Sequence, residues 1–333
     1  MRYAWQAADW QRIRGEFTRL PNAWLFAGPA GIGKRAFAEE LARAMLCEAP
    51  LADQSACGVC EACRWFAAGH HPDYRTLSPD DGEDAVKEGK SVRRLAQIKI
   101  EAVRDVIEFA HLTSHRSGRR VVLVEPAEAM NPAAANALLK ILEEPPHDVL
   151  FLLVSHHRER LLPTIKSRCR PYVLTRPGHD EALAHLAKEG VAEPEAELAH
   201  HGGVPLFDHD AAHVDARRKF LAALSKPTLA SMLSLAESVD KDKLPLGTAL
   251  SWLMQWVGDL AGLRLANVIR YHPDWRAELE KLAARAEPVA LMRCYDALIA
   301  LAPFAEHTLN VRLQLEAALT DYLNCFAAPR AAR

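Results

Sequence analysis

The stretch AWLFAGPAGIGKRAFAEELARAML, residues 23–46, constrains the chain more than any other. Ala23-Trp24-Leu25-Phe26-Ala27 reads as a buried strand. Gly28 to Lys34 then fits G-x-x-x-x-G-K, and Phe37, Leu41, Ala44 and Met45 fall on one face of a helix over about residues 34–46. Strand, glycine turn and helix in that order let backbone N–H groups at a helix N-terminus cradle phosphates. This predicts an α/β domain on a mostly parallel sheet. Gly28, Gly31, Gly33 and Lys34 are the candidate phosphate ligands, and ATP the candidate cofactor. A loop that only shapes a tight turn would look the same.

The position after Lys34 should carry a hydroxyl to hold Mg²⁺. It carries Arg35, whose side chain has donors and no acceptor. The strand expected at residues 121–124 ends in Glu125-Pro126, so proline stands where an acid would orient the attacking water. Glu125 could still help hold a metal, and Glu128 has no expected part. Losing a general base alone costs about 10²–10⁴-fold. The expected site binds phosphate or nucleotide without turnover.

Further elements follow from periodicity. A helix is expected over residues 101–112, with Val103, Val106, Ile107 and Ala110 inward. Asn131-Pro132 starts another, which Pro145-Pro146 stops. Strands are expected over residues 149–154 and 172–174, and a polar surface loop over residues 78–94. After Pro177 the pattern becomes helical, broken at Gly202-Gly203. Long helices are expected over residues 244–269 and 309–326. The stripe Trp252, Leu253, Trp256, Leu260 and Leu263 suits either a core or a subunit contact.

Cys57, Cys60 and Cys63 stand at C-x₂-C-x₂-C spacing, with Cys47 upstream. Four thiolates suit a closed, structural tetrahedral zinc site. His70 or His71 could replace Cys47, and a reduced surface cluster or redox role is the alternative. Cys169, Cys294 and Cys325 read as packing residues. Forty-one Lys and Arg against 43 Asp and Glu give a net charge of −2, so no basic arm is present to bind DNA alone. The start, MRYAWQAADW, lacks a secretory pattern and no apolar run suits a membrane span, so a reducing cytoplasm is expected.

AEAMNPAAANALLKILEEPP (residues 127–146) and FLLVSHHRERLLPTIKSRC (residues 151–169) resemble the clamp-loader branch of the AAA+ ATPases. The cysteine cluster is similar to the zinc module of bacterial replicative clamp loaders. The resemblance spans residues 20–175; beyond residue 203 only length and helicity agree. It implies an AAA+ P-loop-like domain with a zinc module over residues 1–168, a helical lid over 169–208 and a helical collar over 209–333. It further implies that Arg168, in Ser167-Arg168-Cys169, reaches in trans to ATP on a neighbouring subunit; by spacing alone Arg168 could equally pair with a nearby carboxylate. Pro205 stands where active relatives carry a nucleotide-sensing arginine. The implied role is a non-hydrolysing loader subunit whose partners are sister ATPase subunits and, through the assembly, a sliding clamp and primed DNA. Asn136, Lys140 and Glu143 lie close to one helix face; Lys140 suits either a DNA phosphate or a pair with Glu143 or Glu144. The alternatives are an active ATPase of the same branch and, against the near-neutral charge, a zinc-dependent nucleic-acid-binding protein.

Overall fold

The computed structural model describes residues 2–17, 20–79, 97–115, 118–207, 211–305 and 310–326. The loop expected over residues 78–94 lies, from residue 80 on, outside the described residues. The chain divides into two compact units, Met1–Glu181 and Ala182–Arg333.

In chain order the first unit holds α1 (Ala7–Arg14), β1 (Ala23–Ala27), α2 (Lys34–Leu46), α3 (Glu61–Ala67), β2 (Tyr74–Leu77), α4 (Ile100–His111), β3 (Arg120–Val124), α5 (Pro132–Glu143), β4 (Val149–Ser155), α6 (Pro163–Arg168) and β5 (Arg170–Tyr172). The strands form one parallel sheet in the order β2-β3-β4-β1-β5. This is the expected α/β class. Every residue of β3 and β4 is buried, as befits central strands of a parallel sheet covered on both faces.

One face packs on α4 and α5: Leu25, Val122, Phe151 and Leu153 meet Val103, Val106, Leu138 and Leu142 in one core. The other is aromatic. Phe26 and Phe37 rings lie 5.7 Å apart, and Trp24 and Tyr172 rings 5.3 Å apart. Tyr172 Oη donates to Asp9 O at 2.8 Å and accepts from Arg12 Nε at 2.9 Å, which ties α1 to β5.

Local signals set the helix ends. Gly33 precedes α2 with φ +85°, and Asn131 caps α5 by accepting from Ala134 N at 2.8 Å, with Pro132 in the first turn. β5 falls at Arg170–Tyr172, two residues earlier than expected. Tyr172 already pairs with Phe26, one residue before β1 ends, whereas Val173 is exposed and its carbonyl accepts from Arg12.

Helix α7 (His179–Lys188) carries the chain into the second unit, where α8 (Pro194–His200), α9 (Ala211–Leu224), α10 (Leu229–Lys241), α11 (Leu246–Ala266), α12 (Arg276–Arg285), α13 (Pro288–Leu301) and α14 (Val311–Asn324) follow. Trp252, Leu253, Trp256 and Leu260 of α11 are buried in its core and Leu263 packs against it, so the stripe is core. Trp256 Nε1 donates to Tyr322 Oη at 2.9 Å, and that hydroxyl donates to Leu224 O at 2.8 Å. Asn267, with φ +56°, ends α11 in a left-handed cap.

Candidate functional site

The parallel register brings three loops to one edge of the sheet. Ala27 pairs with Ser155 and Val124 with Leu153, so Gly28 after β1, Glu125 after β3 and His156 after β4 emerge side by side. Gly28 N donates to Ser155 O at 3.2 Å. The carboxyl edge of a parallel sheet is where open α/β folds bind ligands.

The glycine loop runs from Gly28 to Lys34, as its pattern predicts. Lys34, 3% exposed, donates from Nζ to Gly28 O at 2.8 Å and Pro29 O at 2.5 Å. Burial lowers its ammonium to about 8, against the opposing pull of Glu128 and Glu125. Glu128 was given no part by its position in the sequence, yet it stands in this site: its Oε1 accepts from His156 N at 2.8 Å and His157 N at 3.2 Å.

Arg35 fills the place expected of a metal-holding hydroxyl. Its Nε lies 2.8 Å from Glu39 Oε1 and 3.2 Å from Glu125 Oε2. Burial pushes the Glu125 carboxyl above its ordinary range, and Arg35 pulls it back.

The N-terminal segment, which carries no motif, covers the loop. Trp5 Nε1 and Gln6 Nε2 each donate to Ile32 O at 3.2 Å, and Gln6 Nε2 also reaches Gly33 O at 2.9 Å. A Cβ on Gly33 would lie 2.6 Å from Tyr3 Cδ2 and 2.7 Å from Gln6 Nε2, so both φ and space require glycine there.

Cys47, Cys57, Cys60 and Cys63 converge, with all four sulfurs within 4.8 Å of one another. The Cys47–Cys60 and Cys57–Cys63 sulfur pairs are 3.9 and 4.0 Å apart. A tetrahedron with Zn–S bonds of about 2.3 Å has edges of about 3.8 Å, so the four sulfurs fit such an ion. Amides already point at them: Cys57 N at Cys47 Sγ (3.3 Å), Cys60 N at Cys57 Sγ (3.3 Å) and Cys63 N at Cys60 Sγ (3.4 Å). Such N–H donors favour thiolate: those of Val59 and Cys60 lower the Cys57 thiol to about 6, whereas burial raises Cys47 and pushes Cys63 up to about 12. Neither histidine considered as an alternative ligand joins the four-sulfur cluster, although His71 Nε2 is buried without a hydrogen-bond partner. His71 Nδ1 accepts from Asp73 N at 3.0 Å, and the His70 ring faces Ala68 O at 3.2 Å.

Arg168 ends α6, a two-turn helix held by buried Ile165 and Cys169 in the same core as Leu138, Ile141 and Leu142 of α5. Its guanidinium pairs with the Glu143 carboxylate at the last residue of α5, and its Nη1 donates to Thr164 O at 3.1 Å. Both side chains keep solvent access, at 31% and 48%. The intrachain partner left open by the spacing of Arg168 is therefore Glu143. Lys140 and Asn136 line instead a groove of about 640 Å³ between α4 and α5, together with Arg104, His111 and Glu144.

Two family models cover most of the chain. One, described as DNA polymerase III, delta subunit, matches residues 8–177; the other, described as DNA polymerase III, delta subunit, C terminal, matches residues 211–323. The DNA polymerase III subunit delta′ of Pseudomonas aeruginosa is 40% identical over 302 residues, covering 84% of this chain and 87% of that protein. Subunit delta′ of Escherichia coli is 36% identical over 199 residues, 59% of this chain and 56% of its own length. The Escherichia coli subunit tau is 29% identical over 219 residues, 66% of this chain and 29% of that protein.

Proposed function

As the chain belongs to the DNA polymerase III delta′ family, we propose that it is a non-hydrolysing subunit of a bacterial clamp loader, an AAA+ assembly that places a sliding clamp on primed DNA. In this reading the subunit organises the loader ring and donates Arg168 to ATP held by a neighbour, as well as serving DNA replication in the cytoplasm. Its partners are the ATPase subunits and delta, with residues 169–208 as lid and 209–333 as collar. No helix among the described residues is long and apolar enough to cross a membrane. Exposed Val289, Met292 and Ile299 on α13 offer apolar surface for sister subunits.

The observation that carries the non-hydrolysing reading is the guanidinium of Arg35 on Glu125. A metal ion at that carboxylate would compete with the Arg35 guanidinium and find no hydroxyl at position 35. With Pro126 supplying no acid, neither Mg²⁺ nor the attacking water is held. Lys34 and the glycine loop remain, but Lys34 Nζ is held by Gly28 O and Pro29 O and the N-terminal segment covers the loop, so ATP binding without turnover would require both to move. The cysteine cluster holds a structural zinc, since four sulfur ligands leave no position open for substrate.

The arginine role is supported by the place of Arg168, part-exposed at the end of a short helix anchored in the core. A guanidinium can reach a phosphate beyond this chain without moving its backbone, and arginines so placed accelerate other NTPases about 10³–10⁵-fold. The test is ATP hydrolysis by the isolated chain. Silence is expected; turnover that Lys34→Ala abolishes would make the chain an active ATPase instead.

A further inference from the structure

We propose that Glu143 is a latch on Arg168, a positioning residue that holds the guanidinium on its own subunit until a neighbour's triphosphate displaces it. The inference rests on the trans role of Arg168 and adds a control to it.

Glu143 is the last residue of α5 and Glu144 its cap, so two carboxylates crowd the negative end of a 12-residue helix. Helix ends of that sign favour cations. Arg168 supplies one from outside the helix, gripped by the Glu143 carboxylate and, through Nη1, by Thr164 O. Ser167 Oγ donates to the same carbonyl at 2.9 Å, which fixes the last turn of α6.

A carboxylate and a phosphate each offer a pair of anionic oxygens to a guanidinium fork. Glu143 and a neighbour's phosphates therefore compete for one group. Leu138, Ile141 and Leu142 of α5 and Ile165 of α6 are buried in one core, so the exchange needs only rotation of the Arg168 side chain. Because both partners are solvent-accessible, the pair is weak enough to open. A paired arginine is not free for transfer, and the fraction of free arginine scales the activity it supports. Glu143 thus damps hydrolysis in the resting assembly. Clamp and DNA, by seating the neighbour's nucleotide against α6, overcome the damping.

The experiment is steady-state ATP hydrolysis by the reconstituted loader, with and without clamp and primed DNA. It compares wild type, Glu143→Gln, Arg168→Ala and the double variant, with assembly checked by gel filtration. Glu143→Gln is expected to raise the unstimulated rate about two- to fivefold, the scale of an exposed charge pair, and to leave the stimulated rate within about twofold. In the Arg168→Ala background the same change should alter neither rate, a dependence that a merely structural role of Glu143 would not show. An unstimulated rate that Glu143→Gln leaves unchanged or lowers, while Arg168→Ala strongly cuts the stimulated rate, overturns the latch alone. If Arg168→Ala changes neither rate, the trans role itself fails and the latch with it.

Discussion

Arg35 Nε sits 3.2 Å from Glu125 Oε2, so the last position of the phosphate-loop pattern and the end of β3 are joined by an ion pair. In an active site of this type a metal ion would mediate between those two places. Here the Arg35 guanidinium supplies the positive charge.

Restoring the hydroxyl should therefore not restore catalysis. The isolated Arg35→Thr chain is expected to show no ATP turnover above blank in the presence of Mg²⁺, because Pro126 still offers no acid. Measurable turnover by this single variant would mean that Glu128, beside Lys34, orients water.

The cysteine cluster should hold one zinc per chain. A colorimetric zinc assay on the unfolded protein is expected to give one equivalent, and Cys60→Ser to give much less. The melting temperature of that variant should fall by about 5–10 °C, given about 2–4 °C per kcal/mol for a unit of this size. Full zinc content in Cys60→Ser would remove Cys60 from the ligand set.

Stability of the second unit should depend on pH through Glu197. Burial alone would raise its carboxyl, but His200, whose Nδ1 lies 3.6 Å away, and the Arg217 guanidinium outweigh it and hold Glu197 at about 2. Its stabilisation is thus complete above about 4.5 and is lost as pH falls from there towards 2. His200 runs the other way. Burial would lower it, but Asp274, 3.1 Å away, and Glu197 raise it, so its contribution is full below about 6.5 and fades as pH rises through the raised value. Glu197→Gln leaves Arg217 buried without its carboxylate and should cost about 3–5 kcal/mol at neutral pH. Thermal melts across pH 3–8 should show that loss shrinking on the acid side; a constant difference would assign the effect to packing.

Features written in consecutive residues were legible before the fold was known. β1 and α2 fall at Ala23–Ala27 and Lys34–Leu46, because an apolar run, a glycine turn and a helical stripe are local signals. β2 was not expected: it is a four-residue edge strand, half exposed, whose place comes from pairing with β3. α1 and the cover of Tyr3, Trp5 and Gln6 on the phosphate loop were missed for a similar reason, since that contact joins segments about 26 residues apart. The cysteine spacing left Cys47 and two histidines as rivals, and only the fold brings the Cys47 sulfur to the other three. The partner of Arg168 was equally open in sequence. Glu143 meets it because α6 packs on the same core as α5.

The central claim is that this chain lends an arginine to a site it does not itself run. The direct measurement is the clamp- and DNA-stimulated ATPase of the reconstituted loader carrying Arg168→Ala, with intact assembly confirmed by gel filtration. The affected site should slow by about 10³–10⁵-fold. Because the sites serve one loading cycle, the overall stimulated rate should fall well below the wild-type rate. An intact assembly hydrolysing ATP at the wild-type rate would contradict the account and leave the chain a scaffold alone.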